Sequence, residues 1–144
     1  MRRLAALVLG VGMAGATVLS AEEKGASVAK DSRVFVMRTY YAAPGKIEDL
    51  HARFRDHTSG FFEKHGMTIV GYWVPIDDKT GEVKGNTLVY VLAYPSMEAR
   101  QKAWQGFGAD PGWQKAKADS EMKGKIVEKV ESVFLKATDY SPLK

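Results

Sequence analysis

After residue 32 the spacing of apolar positions switches repeatedly between two and a mix of three and four, and each switch marks an element. Residues 33–41, RVFVMRTYY, are rich in β-branched and aromatic side chains and are halted by Pro44-Gly45, which predicts a strand and a turn. Over residues 46–64 Leu50, Phe54, His57 and Phe61 recur at helical spacing, while Arg53, Arg55, Asp56, Glu63 and Lys64 fall largely elsewhere. This predicts an amphipathic helix ended by Gly66. Residues 67–76 and 87–94 are two further β-rich runs. They are joined by DDKTGEVKGN, a hairpin loop longer than the tight two-residue kind, so the two strands should be antiparallel.

After Pro95 the helical spacing returns. Ser96 suits an N-cap, and Ala99, Ala103, Trp104 and Phe107 form an apolar face up to Gly108. Asp110-Pro111 supplies a second cap and a proline at the first helical position, predicting a helix to about Met122 with Trp113 and Ala116 turned inward. Residues 126–136, IVEKVESVFLK, predict a last strand, after which ATDYSPLK leaves the core. The order is β-α-β-β-α-β with the second helix broken in two, an α+β, ferredoxin-like split βαβ domain over residues 33–144. Its strands are apolar on both parities: Phe35 and Met37 alternate with Val34 and Val36, and Leu88 and Leu92 with Val89 and Val91. A sheet wet on one face would alternate apolar with polar, so both faces are expected to be buried, the second by the sheet of another copy.

The N-terminus reads as an address. Arg2 and Arg3 precede an apolar run over residues 4–19, and small residues at Ala14, Ala16, Ser20 and Ala21 fit a secretory cleavage site. Residues 1–21 are expected to be a signal peptide, giving a periplasmic or secreted protein; membrane attachment follows only if the segment is not cleaved. Residues 22–32, EEKGASVAKDS, read as a solvated, flexible spacer.

Composition narrows the chemistry. The 144 residues have no cysteine, which excludes disulfides, thiolate metal sites and thiol nucleophiles. Of the formal charge of +4, two units belong to Arg2 and Arg3, and no basic-aromatic stripe lies beyond them, which argues against a nucleic-acid partner.

Several separated segments carry a resemblance: RTYYAAPGK, HTSGFFEKHGMTIVGYW, NTLVYVLAYPSMEAR, WQGFGADPGWQK and VEKVESVFLKATDYSPL. In this order, over essentially all of residues 33–144, they resemble the NIPSNAP family. The resemblance implies a dimeric α-β barrel, two ferredoxin-like sheets packed face to face, an architecture shared with small oxygenases and haem-degrading proteins. It implies no particular reaction and leaves any cofactor open. Val36 stands where the family often has a glutamate, and Gly60 where a larger residue is usual.

Among candidate site residues His57 falls on the apolar stripe of the first helix, where its ring is either a satisfied core group or a ligand contact. His51 and His65 are spaced so that three imidazoles cannot share one helical face, so no metal site is expected. Arg38 and Tyr40 share a strand face, and Glu131 on the last strand could neutralise Arg38 as a structural ion pair; alternatively Arg38 and Tyr40 clamp an anion. Trp73 reads as core, interface or binding platform. Nucleophile elbows and phosphate loops are absent from the sequence. Three functions follow: a homodimeric small-molecule-binding protein with a pocket between the first helix and the sheet, a cofactor-independent or haem-linked oxygenase on the same fold, and a structural or interaction dimer.

Overall fold

The computed structural model describes residues 27–144, so the expected signal peptide and residues 22–26 of the spacer lie outside the described residues. Four strands form one antiparallel sheet in the order β2-β3-β1-β4: β1 (Val34–Ala42), β2 (Thr68–Trp73), β3 (Thr87–Tyr94) and β4 (Val127–Lys136). That is the expected β-α-β-β-α-β order, with β1 and β3 at the centre. Pleating sends Val34, Val36 and Tyr40 of β1, and Leu88, Tyr90, Leu92 and Tyr94 of β3, to the face that the helices cover. Tyr90 and Leu92 have no exposed surface there.

The first helical stretch is where the sequence pattern and the fold diverge. It consists of α1 (Ile47–Arg53), a π-turn (Phe54–Thr58) and α2 (Ser59–Lys64), with right-handed helical backbone across both junctions. Leu50, Phe54, Thr58 and Phe62 are all buried at steps of four residues. On a regular helix of 3.6 residues per turn each such step advances by roughly 40°, so the row would slide about 120° off the sheet. The widened turn brings it back. The Ser59 amide donates to the Phe54 carbonyl five residues earlier, and the hydroxyls reinforce the same gap, Thr58 Oγ1 donating to the Arg53 carbonyl at 3.2 Å and Ser59 Oγ to the Phe54 carbonyl at 2.8 Å. The expected stripe through His57 and Phe61 is therefore corrected: His57 is exposed, Phe61 is half-buried, and Thr58 and Phe62 take the inward positions.

Beyond β3 the capping signals decide the path. Ser96 Oγ accepts the Ala99 amide at 3.0 Å and starts α3 (Met97–Ala109), which runs through Gly108. Asp110 starts α4 (Pro111–Ser120), its Oδ1 accepting the Gly112 amide at 2.8 Å and the Trp113 amide at 3.4 Å. Its Oδ2 takes Lys64 Nζ at 2.6 Å and His65 Nε2 at 2.8 Å, which fastens the end of α2 to the start of α4. The Lys64 ammonium first, then His65, hold the Asp110 carboxyl well below the usual carboxylate range. A carboxylate with a depressed folded-state pKa stabilises the fold above its unfolded value near pH 4 and loses that contribution as the pH falls toward the folded value. Asp110→Asn is thus expected to melt lower than the parent at neutral pH, with the gap shrinking below about pH 4. Melting curves across pH test this, and a gap unchanged down to about pH 2 would contradict it.

Both ends of the described chain are tied together, in contrast to the expected solvated spacer and free tail. Val28 bridges to Thr138, the Ala29 amide donates to the Ala137 carbonyl at 3.0 Å, and Ser32 Oγ accepts the Ala137 amide at 2.7 Å. Ala29, Ser32 and Ala137 are buried as a result. Residues 27–32 have no apolar periodicity because backbone pairing, which any side chain permits, holds them.

No helix among the described residues covers the other face of the sheet, and only the segment after β4 lies against part of it. Phe35 and Ala93 form a small cluster on it with Val70 and Val91, while Trp73, Val133 and Leu135 are 50%, 46% and 42% exposed. No helix among the described residues is long and apolar enough to cross a membrane.

Candidate functional site

The helices cover the sheet unevenly, and a cleft of about 390 Å³ opens where α1, the π-turn and α4 stand off from β1 and β4. Its floor is apolar: Tyr40, Phe54, Phe62, Phe107, Trp113 and Val127 all contribute. The rings brace one another edge to face, with Tyr40 and Phe54 at 5.5 Å and Phe61 and Trp113 at 6.1 Å, while Phe107 and Trp113 stack at 4.5 Å. The rim is charged, with Lys117, Glu121 and Lys125 from α4 and the segment after it.

Arg53 is the buried charged group of this cleft. It is the last residue of α1, its side chain is 4% exposed, and Nη1 donates to Glu121 at 3.0 Å. The guanidinium lies 5.9 Å from the Trp113 ring, and its Nε–H is buried without an acceptor among the described residues. A buried donor left unpaired costs free energy, so Arg53 carries hydrogen-bonding capacity that the described residues do not use. An apolar pocket with one buried cation and basic groups at the rim suits a small apolar molecule bearing negative charge.

The residues singled out from sequence are scattered relative to this cleft. Tyr40 lies in it. Arg38 shares the face of Tyr40 but sits one step along β1, stacked 4.5 Å from the Trp104 ring and 5.3 Å from Tyr40. His57 is on the solvent side of the π-turn beside Asp56 and Lys64. Glu131 does not meet Arg38: the register sets Arg38 opposite Ser132 and Thr39 opposite Glu131, which places Glu131 on the uncovered face. There it accepts the Tyr41 hydroxyl at 2.9 Å and pairs with Lys129, and both contacts, Lys129 first, lower its pKa. Trp73 also lies on the uncovered face, its ring resting on Gly71, where a Cβ would come within 2.8 Å of it.

Arg53, Lys117, Glu121 and Lys125 are the cleft residues that sequence reasoning missed. For Arg53 a signal existed, because three residues after Leu50 and one before Phe54 is an inward helical position. The others depend on how α4 packs, which no local pattern encodes. Among the described residues no cluster of three or more His, Asp or Glu side chains could hold a metal ion.

Three comparisons with known proteins bear on this architecture. The NIPSNAP family model matches residues 35–142. A NIPSNAP family protein of unknown function from Agrobacterium tumefaciens is similar in structure, with a TM-score of 0.67 and 21% identity over 82% of this chain and 99% of that one. An uncharacterised NIPSNAP domain protein from Burkholderia xenovorans is 26% identical over 76% of this chain and 98% of its own, with a TM-score of 0.61. A second Agrobacterium tumefaciens NIPSNAP family protein gives a TM-score of 0.63 at 20% identity, covering 78% of this chain and 99% of that one. No curated protein matches the chain. With a four-stranded antiparallel sheet under its helices and the family model spanning most of its length, the chain belongs to the NIPSNAP family.

Proposed function

We propose that this protein is an exported, homodimeric small-molecule-binding protein whose ligand is a small apolar anion held in the cleft between the first helical stretch, α4 and the sheet. The observation that carries the reading is Arg53, a buried guanidinium with an unused Nε donor beside an aromatic floor. Lys117 and Lys125 at the rim add attraction for a negative group, while Glu121 beside them is paired with Arg53. The charged, apolar and small-residue order of residues 1–21 supports export, and the apolar uncovered face supports dimerisation.

Anilinonaphthalene sulfonate, an aromatic anion that brightens in apolar surroundings, is a suitable probe of the cleft. Lys117→Met is expected to weaken its binding several-fold, and Val130→Trp, which fills the cleft from its exposed edge, to weaken it by about tenfold or more while leaving the melting temperature nearly unchanged. Equal affinity in the parent and Val130→Trp would overturn the assignment of the cleft. Native mass spectrometry of protein from its own host reports the rest. A dimer carrying a retained organic anion, each chain beginning near Glu22, is expected; oxygen uptake on adding an aromatic substrate or haem would shift the reading to an oxygenase. A folded protein with neither ligand nor turnover would leave a structural dimer.

A further inference from the structure

Two buried arginine donors lie on the other side of Tyr40 without an acceptor. Arg38 Nε and Arg100 Nε have no hydrogen-bond partner among the described residues and neither arginine forms an ion pair there, while the buried Tyr90 hydroxyl has only the Tyr40 side chain beside it. Their placement follows from the fold. Arg38 on β1 stands directly opposite Tyr90 on β3 and Ser132 on β4. Arg100 and Trp104 are one turn apart on α3, and Trp104 caps Arg38 while Arg100 lies 4.8 Å from the Phe134 ring of β4. Trp104 is itself fixed, donating Nε1–H to the Tyr94 hydroxyl at 2.9 Å. Tyr90 has no exposed surface, and that burial raises its pKa, so its phenol stays a donor.

We propose that Arg38 and Arg100, with the Tyr90 hydroxyl and Ser132, bind the carboxylate of a small organic acid between α3 and β4. Each guanidinium carbon sits over an aromatic ring, Arg38 at 4.5 Å from Trp104 and Arg100 at 4.8 Å from Phe134, a contact that holds the group while leaving N–H donors for a ligand. A carboxylate matches that fork with two oxygens and supplies the acceptors that the protein omits. Ser132 and Phe134 of the edge strand are exposed beside these groups, and that is the side from which a ligand would enter. Trp104, Tyr40 and Phe134 give the apolar body of such an acid aromatic surface to lie on. The site adjoins the cleft, with which it shares Tyr40.

Titration of the purified protein with benzoate, followed by the arginine Nε–H resonances and by calorimetry, tests the assignment. Benzoate is expected to shift the Nε–H signals of Arg38 and Arg100 together. Arg38→Lys keeps the charge but loses the fork, and Arg100→Gln loses both; each is expected to weaken benzoate by about tenfold or more. Lys102→Met removes a charge from the exposed side of the same helix and is expected to leave the affinity unchanged. Melting curves identify any variant that fails to fold, and Arg100→Gln, on the partly exposed side of α3, then carries the test. Unshifted Nε–H signals at saturating benzoate, or equal losses in Arg100→Gln and Lys102→Met, would overturn the site. So would binding of inorganic phosphate but not of benzoate, or a carboxylate of a second copy seated on the two guanidiniums.

Discussion

Phe62→Ala is expected to destabilise the domain by about 3–5 kcal/mol, whereas Phe61→Ala, one residue away, should cost about 1 kcal/mol. Phe62 is 1% exposed and its ring lies 5.1 Å from Phe107, 5.7 Å from Tyr90 and Trp104, and 6.1 Å from Phe54. Removing it leaves a cavity ringed by aromatic groups that are held from both sheet and helices and so cannot collapse inward. Phe61 is half-buried against Trp113, where water can replace part of what is removed. For a domain of this size the two costs correspond to melting-temperature losses of roughly 10–20 °C and a few degrees. The comparison also tests the π-turn, because an uninterrupted helix would turn Phe61 inward with His57 and reverse the ranking. Thermal melts of the two variants decide it; a larger loss for Phe61→Ala would remove the widened turn from the structure.

The same pair of residues shows which parts of the fold were legible in the sequence. Signals that act within a few residues were readable: the Ser96 cap, the Asp110-Pro111 start and Gly66 at φ 75°, where a side chain would be strained, all lie where the sequence places them. The π-turn was not, since one extra residue in a helical turn leaves apolar residues at both the three- and four-residue spacings, and packing chooses between Phe61 and Phe62. Register across the sheet was equally hidden. β1 and β4 are separated by most of the domain and no tight turn fixes their alignment, so nothing local says whether Arg38 faces Glu131 or Ser132. A slip of one residue decides it. The cleft needed both unknowns together, because Arg53 ends α1 where the π-turn begins and its partner Glu121 follows α4.

Val91→Asp is expected to convert a dimer into folded monomers. Val91 sits near the middle of the uncovered face, opposite Met37 on one side and Gly71 on the other, in a cluster with Phe35 and Ala93. In a single copy its side chain is only half-buried, so a carboxylate there reaches water and costs the fold little. In two copies packed sheet to sheet the same carboxylate loses its water, and the surrounding side chains, Phe35, Met37, Val89 and Val133, offer no cation. An unpaired charge buried in this way costs several kcal/mol, and a two-fold interface repeats the cost in each copy. A penalty of about 3 kcal/mol already weakens association by more than a hundredfold. Sedimentation should therefore show the parent at twice the monomer mass and Val91→Asp at the monomer mass, with circular dichroism of the two alike. Val83→Asp, on the exposed hairpin at 64% exposure, adds the same charge away from the face and should remain dimeric. A parent protein that is monomeric at micromolar concentration, or a Val91→Asp variant that dimerises as tightly as the parent, would place the contact elsewhere and leave Trp73, Val133 and Leu135 facing solvent.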